Sequence, residues 1–353
     1  MHALIVKPSS FGDVVHTFPA LALLQRSVPV PLRLTWVVND SLAALPALLP
    51  GVSRVIAFPR RHLLRNCAGR NFLRELRSEK YDMAIDFQGL LRSGLMTWLS
   101  RAPRRIGFRQ AREGAHFFYT EKYTPEAFCQ HAVDKNIALV RLAFSDAVAT
   151  AGGDAVGHPP LTVAPEADAA ARAWLEQLPG DGPVLAVGFS SRWDSKTWPK
   201  DFFAAVITAV AAQVPGLRCW LVGSPSEREL GNELAAAVSA CQVLNLAGAT
   251  DFAELAALFG RSHAMLTNDS GPMHLAAAMG VSCIALFGAT EPDKTGPWGS
   301  TDQQHVVVRT RCPEHPCFQR RCPKGEGVCP QGTDTAAVAA QVAQKLKSAQ
   351  HLS

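Results

Sequence analysis

Short apolar runs alternate along this chain with longer stretches in which apolar residues return every three or four positions. The short runs carry Val, Ile and Leu without polar alternation, as strands buried on both faces do. In the first half they cover residues 3–6, 34–38, 55–58, 83–86 and 105–107. In the second half they cover 184–187, 219–222, 243–246, 264–267 and 284–287. The periodic stretches predict helices from 14 to about 26 and over 72–78, 90–99 and 129–142. Further helices are predicted near 201–212, 227–238, 251–258, 273–279 and 334–347. Strand and helix in regular succession imply parallel strands joined by crossover helices, hence an α/β chain with doubly wound sheets. Residues 147–165, rich in Ala, Gly, Pro and Val, interrupt the series and read as a linker. The expected domains are 1–165 and 166–333, both Rossmann-like, with a C-terminal helix and tail over 334–353. Two such lobes are expected to face a cleft, with ligands at the C-terminal ends of the strands.

The polar residues that matter stand where strands end. In Thr267-Asn268-Asp269-Ser270-Gly271-Pro272-Met273-His274 an apolar run meets a tight loop and then a helix. Asn268, Asp269 and Ser270 are good N-caps, Pro272 suits the first turn and Gly280 the stop. Such a loop aims free N–H groups and a helix dipole at one point, which can hold a phosphate. Gly271 would let a ligand approach the backbone. The same residues also describe an ordinary capped helix between buried strands. Ser9-Ser10-Phe11-Gly12-Asp13 follows the first strand. Asp13 there reads either as an N-cap or as a general base toward a hydroxyl. Residues 189–199 contain Ser190, Ser191 and Lys196, a set that can contact a diphosphate or form a solvated loop. In Gly223-Ser224-Pro225-Ser226-Glu227 the carboxylate can accept ribose hydroxyls or simply favour a first helical turn.

A length of 353 residues and 48% hydrophobic content fit two globular domains. No apolar run approaches the roughly 20 residues of a membrane span. Met1-His2-Ala3-Leu4-Ile5-Val6-Lys7 enters a strand directly and has no cleavable signal pattern, so a cytoplasmic protein is expected. Nine cysteines, four of them between 312 and 329, argue against a disulfide framework in that compartment. The net charge of +5 is unevenly spread. Residues 1–150 hold 20 Lys and Arg against 11 Asp and Glu, and the remainder holds 15 against 19. The excess is mostly arginine, which suits bidentate contact with carboxylate or phosphate. No helix-turn-helix, zinc-finger or aromatic-strand signature accompanies it, so nucleic acid is not an expected partner. No G-x-G-x-x-G follows a strand, so a dinucleotide oxidoreductase loses its main support, and no Walker A loop exists, which removes P-loop NTPases.

Taken in order, the loops resemble those of the lipopolysaccharide heptosyltransferases, glycosyltransferase family 9. The resemblance rests on Lys7-Pro8-Ser9-Ser10-Phe11-Gly12-Asp13-Val14-Val15-His16-Thr17, on residues 191–199 with Lys196, and on Asn268-Asp269-Ser270-Gly271-Pro272-Met273-His274. Gln110-Ala111-Arg112-Glu113 and Gln130-His131-Ala132-Val133 look most like heptosyltransferase I. Asn245-Leu246-Ala247-Gly248 and residues 267–274 look equally like heptosyltransferase II. The resemblance implies a GT-B fold, an ADP-heptose donor, no cofactor, and inversion at the anomeric carbon without a metal. It implies Asp13 as catalytic base. Ser190, Ser191, Lys196, Glu227, Asp269, Ser270, Gly271 and His274 would bind the donor. The implied acceptor is a Kdo-bearing lipid A or heptosylated core, reached by a peripheral protein on the inner face of the inner membrane.

Of the thirteen arginines between 54 and 112, Arg60, Arg61, Arg65, Arg109 and Arg112 fall in or near loops that follow strands. With Ser10 and Gly12, Arg60, Arg61, Arg109 and Arg112 are the expected acceptor contacts, since planar guanidinium groups pair with carboxylates and phosphates. Two other readings fit this architecture: a sugar-nucleotide epimerase and a non-catalytic nucleotide-sugar binder. Cys312, Cys317, Cys322 and Cys329 have looser spacing than usual zinc pairs, which leaves a structural metal, free thiols or a redox-sensitive loop.

Overall fold

Ala3, Leu4, Ile5 and Val6 are all fully buried. A strand covered on both faces belongs at the middle of a parallel sheet, and β1 (His2–Val6) sits there. The computed structural model describes residues 1–60, 62, 67–150, 156–299, 304–325, 329 and 331–350. The chain divides into two compact units, Met1–Thr162 and Val163–Ser353.

In the first unit β1 is followed by β2 (Arg33–Asn39), β3 (Val52–Phe58), β4 (Met83–Asp86), β5 (Arg104–Phe108) and β6 (Glu121–Tyr123). All pairs are parallel and the order is β3-β2-β1-β4-β5-β6. The second unit has β7 (Val184–Gly188), β8 (Arg218–Leu221), β9 (Gln242–Asn245), β10 (Ala264–Asn268), β11 (Ser282–Phe287) and β12 (Val306–Arg309). Its order, β12-β11-β10-β7-β8-β9, repeats the first with the same parallel sense. Both are Rossmann-type orders, in which the winding reverses once, between β1 and β4 and again between β7 and β10. Ligands bind in the crevice such a reversal leaves beyond the strand C-termini.

The ten predicted strands are present within one to three residues at each end. The edge strands β6 and β12 are additional. β6 is Glu121-Lys122-Tyr123, half-buried and mostly polar, so it carries no apolar run to read. The predicted helix over 14–26 is instead two, Phe11–Val15 and Phe18–Ser27. Pro19 starts the second, where its missing N–H is harmless. The helix predicted from 129 begins at Ala132, with His131 as N-cap. The expected linker is partly helical, since Ser145–Thr150 runs into it and Pro165–Glu176 starts at its end. The terminal helix Thr335–Gln350 is not a free tail. Val338, Ala339, Val342, Ala343 and Leu346 lie in the core of the second unit beside Phe203 and Val210.

One buried carboxyl fixes the loop after β4. Asp86 is fully buried and accepts hydrogen bonds from Tyr119 Oη at 2.6 Å and from the N–H groups of Gln88 at 2.8 Å and Gly89 at 3.1 Å. Burial raises its pKa above the usual carboxylate range, outweighing those donors. The native state therefore holds this proton more tightly than the unfolded chain. That contribution to stability is full at low pH and is lost as pH rises through the folded pKa. Denaturation of wild type and Asp86→Asn at a series of pH values should show wild type losing ground from about pH 4 upward. A difference that stays flat up to pH 8 would contradict the upward shift.

Candidate functional site

In each unit the loops at the winding reversal carry a lysine and an aspartate. In the first unit β1 ends at Val6 and the chain turns through Lys7, Pro8 and Ser9 into the helix Phe11–Val15. Ser10 is the N-cap, and Asp13 is the third helical residue. The expectation that Asp13 itself caps the helix is thereby corrected. Its Oδ2 accepts from the Ser10 N–H at 2.8 Å and from Ser10 Oγ at 2.7 Å, the returning arm of a capping box. Its Oδ1 lies 3.8 Å from Lys7 Nζ, and the side chain is 42% exposed. Lys7 is buried and donates to the Phe87 carbonyl at 2.9 Å. A fixed, partly open carboxylate beside a buried cation can take a proton from a hydroxyl brought to it. Gly12 is the second residue of that helix and is buried.

The loops after β4 and β5 join this corner. Ser9 N–H donates to Gln88 Oε1 at 3.3 Å, and Arg112 N–H donates to the Gly89 carbonyl at 2.9 Å. Leu91 N–H donates to Glu113 Oε2 at 3.2 Å. Arg112 and Asp13 thus belong to one hydrogen-bonded set of loops. Arg109 and Arg60 are exposed at the same sheet end, after β5 and β3. Among the described residues none of Arg60, Arg109 and Arg112 makes an ion pair with a carboxylate, so their charge is available to a ligand. Arg61 and Arg65 lie outside the described residues.

In the second unit Lys196 stands in the loop after β7 and Asp269 in the loop after β10. Lys196 Nζ is 2.6 Å from Asp269 Oδ2, with side chains 17% and 5% exposed. Thr290 Oγ1 donates to the same oxygen at 2.5 Å. Ser191 Oγ donates to the Asp269 carbonyl at 2.9 Å, and Trp198 N–H donates to Asn268 Oδ1 at 3.2 Å. The two loops are thus stitched together across the reversal. Lys196 Nζ also lies over the Trp193 ring, 4.6 Å from its centroid. Ser270 is the N-cap of the helix Gly271–Ala278, with Pro272 in its first turn. The Ser270 side chain makes no cap bond, so the first-turn N–H groups remain for an anion.

Other expected donor residues are placed less directly. Ser190 is half-buried beside Ser191. Glu227 closes its own capping box, its Oε2 accepting from the Ser224 N–H at 2.5 Å. A Cβ at Gly223 would lie 2.8 Å from that oxygen, so glycine is what lets the carboxylate fold over the strand end. His274 is the fourth residue of the helix Gly271–Ala278 and is buried.

Sequence reasoning missed Lys7, Trp193 and Thr290 as members of these sites, and also the bracing by the cysteine segment. Ser195 N–H donates to the Arg320 carbonyl at 3.3 Å, and Cys329 Sγ donates to the Ser195 carbonyl at 3.4 Å. Arg320 Cζ stacks over the other partner of Lys196, Trp193, at 5.6 Å. Cys312, Cys317, Cys322 and Cys329 are free thiols. Burial, with the three neighbouring thiols adding to it, pushes Cys329 up to about 11. Among the described residues no group of three or more His, Cys, Asp or Glu is placed to hold a metal ion.

Known proteins match this chain over most of its length. The family model described as glycosyltransferase family 9 (heptosyltransferase) matches residues 70–327. Lipopolysaccharide heptosyltransferase 1 of Pseudomonas aeruginosa is 34% identical over 336 residues, 91% of this chain and 87% of that protein. The structure of E. coli heptosyltransferase WaaC with ADP superposes with a TM-score of 0.73 at 26% identity, covering 98% of this chain and 100% of that one. The same E. coli protein with ADP-2-deoxy-2-fluoro heptose gives a TM-score of 0.70 at 26% identity, covering 98% and 99%.

The buried pair has a stability consequence. Asp269→Ala strands the Lys196 ammonium and should cost about 3 kcal/mol, since breaking a buried pair leaves an uncompensated charge. Lys196→Met with Asp269→Leu should recover most of that loss, because apolar replacement of both partners is near neutral. Urea denaturation of the three proteins checks this. An Asp269→Ala loss under about 1 kcal/mol would mean that the ammonium simply turns to solvent.

Proposed function

The chain belongs to glycosyltransferase family 9 (heptosyltransferase), and from that membership we propose that it transfers heptose from ADP-heptose to the inner core of lipopolysaccharide, inverting the anomeric carbon without a metal. The observation that carries the donor half is the Lys196–Asp269 pair beside the start of the helix Gly271–Ala278. As the glycosidic bond to phosphate breaks, negative charge grows on the departing ADP. A cation and N–H groups already held in place stabilise it with little reorganisation. Asp269 and Thr290 fix the ammonium, and Ser190, Ser191, Ser270 and Gly271 surround the diphosphate in this reading. Glu227 accepts the ribose hydroxyls. The ADP-bound and analogue-bound structures of the E. coli relative support this donor.

The first unit supplies the acceptor half. Asp13 takes the proton of the acceptor hydroxyl while its oxygen forms the new bond to the anomeric carbon and ADP leaves from the opposite face. Lys7 holds the carboxylate in place and offsets its charge. The proposed acceptor is Kdo-bearing lipid A or its heptosylated core, whose carboxylates and phosphates suit Arg60, Arg61, Arg109 and Arg112. Among the described residues no helix is long and apolar enough to cross a membrane. A peripheral station on the cytoplasmic face of the inner membrane fits that acceptor.

Steady-state kinetics with each substrate varied in turn tests these roles. Asp13→Asn should lower kcat by about 10²–10⁴-fold and leave ADP affinity unchanged. A kcat within about threefold of wild type would return Asp13 to a purely capping role. Lys196→Ala should raise the donor KM and lower kcat together. Arg112→Ala should raise the acceptor KM alone, and a change in donor KM instead would reverse the assignment of the two units.

A further inference from the structure

The helix Leu91–Leu99 is built inside out. A surface helix ordinarily turns its large apolar residues inward and its polar residues to water. Here the inward face carries Ser93, Gly94, Met96 and Thr97. The hydroxyls of Ser93 and Thr97 are satisfied by backbone carbonyls of their own segment, Leu90 and Ser93, at 2.8 Å each. The outward face carries Leu91, Leu95 and Trp98, which are 49%, 39% and 51% exposed. Their spacing of four and three residues sets them in one line.

A neighbouring turn extends this stripe. A Cβ at Gly94 would stand 3.0 Å from the Ala115 carbonyl oxygen and from Phe118 Cδ2, so glycine admits the 3-10 turn Ala115–Phe118 against the helix. Trp98 meets Phe118 with ring centroids 6.4 Å apart, and Phe117 on the same turn is 78% exposed. Arg105 anchors the turn by donating to the Phe118 carbonyl at 2.9 Å. Four large apolar side chains thus stand exposed on two adjoining elements, an apolar surface that a soluble chain rarely leaves bare.

The charge around the patch is one-sided. Residues 87–118 include Arg92, Arg101, Arg104, Arg105, Arg109 and Arg112, against Glu113 as the one carboxylate in that stretch. Arg104 is paired with Glu121, while Arg92, Arg101, Arg109 and Arg112 are exposed. An apolar stripe with Trp, bordered by arginines, is the composition of a helix that lies in a membrane interface. Each basic group near an anionic surface adds attraction.

We propose that Leu91, Leu95, Trp98 and Phe117 insert into the interface of an anionic phospholipid bilayer while the bordering arginines bind its headgroups. Choosing a lipid surface over another apolar partner rests on the lipid-linked acceptor proposed above. The helix begins at the loop after β4, whose Gly89 carbonyl holds the Arg112 N–H and whose Phe87 carbonyl holds Lys7. Docking on this face therefore sets against the lipid a helix whose leading loop is hydrogen-bonded to Arg112 and to Lys7.

Vesicle flotation tests this with acceptor-free lipid. Wild type should bind vesicles of phosphatidylethanolamine and phosphatidylglycerol and bind phosphatidylcholine vesicles weakly. Leu95→Gln with Trp98→Gln should lower binding to the anionic vesicles at least about tenfold without changing the thermal midpoint. The same variant should keep wild-type kcat/KM on an acyl-chain-free Kdo acceptor and lose it on the vesicle-borne acceptor. Equal vesicle binding by variant and wild type overturns the proposal, as does a solution dimer that the substitutions dissociate. Absence of transfer by wild type to either acceptor would refute the heptosyltransferase reading and leave the flotation result to judge the docking face by itself.

Discussion

In a parallel sheet the helices must cross to one face or the other, and the point where that choice reverses cannot be covered by a crossover. Both sheets of this chain meet that constraint at the same place in their order, β1 beside β4 and β7 beside β10. The loops leaving those strands diverge, and their polar residues gather where backbone and solvent meet. Each reversal holds a lysine and an aspartate in different arrangements. In the first unit the lysine is buried and the aspartate is open, 3.8 Å apart. In the second both are largely covered and 2.6 Å apart. The open carboxylate suits proton transfer. The clamped ammonium suits holding charge that appears on a leaving group. In the proposed reaction, one fold repeated twice would serve two chemical tasks through which partner of the pair is exposed.

The doubly wound fold was legible because strands buried on both faces leave uninterrupted apolar runs, as residues 3–6 and 284–287 do. β6 was not, because an edge strand of Glu121-Lys122-Tyr123 has only half a face to bury. Pro19 splits a helix that periodicity alone reads as continuous. Asp13, Lys196 and Asp269 were legible as polar residues in the loops and helix starts that follow buried strands. Their partners were not. Thr290 reaches Asp269 across 21 positions, and Phe87 meets Lys7 across 80. Such pairing follows from strand order, which no local pattern carries. His274 and Gly12 stand in the right motifs and yet are buried, since a motif fixes a residue's place along the chain and not its exposure.

The helix Leu91–Leu99 shows the same limit from the other side. Periodicity correctly marks a helix there, but it cannot say which stripe faces the core. Small residues such as Gly94 let the sheet and the turn Ala115–Phe118 close on the weaker face, and the apolar stripe is left outward. The proposed chemistry rests on family 9 membership and the paired charges, and the proposed place of its action rests on this surface.

Metal-free transfer of one heptose to a lipid-borne acceptor is read out by mass spectrometry of that acceptor. Purified protein, Kdo-bearing lipid A and ADP-heptose are incubated with excess EDTA. The lipid should gain the mass of one heptose, with ADP released in equal amount. An unmodified lipid, with transfer restored only by added magnesium or manganese, would contradict it.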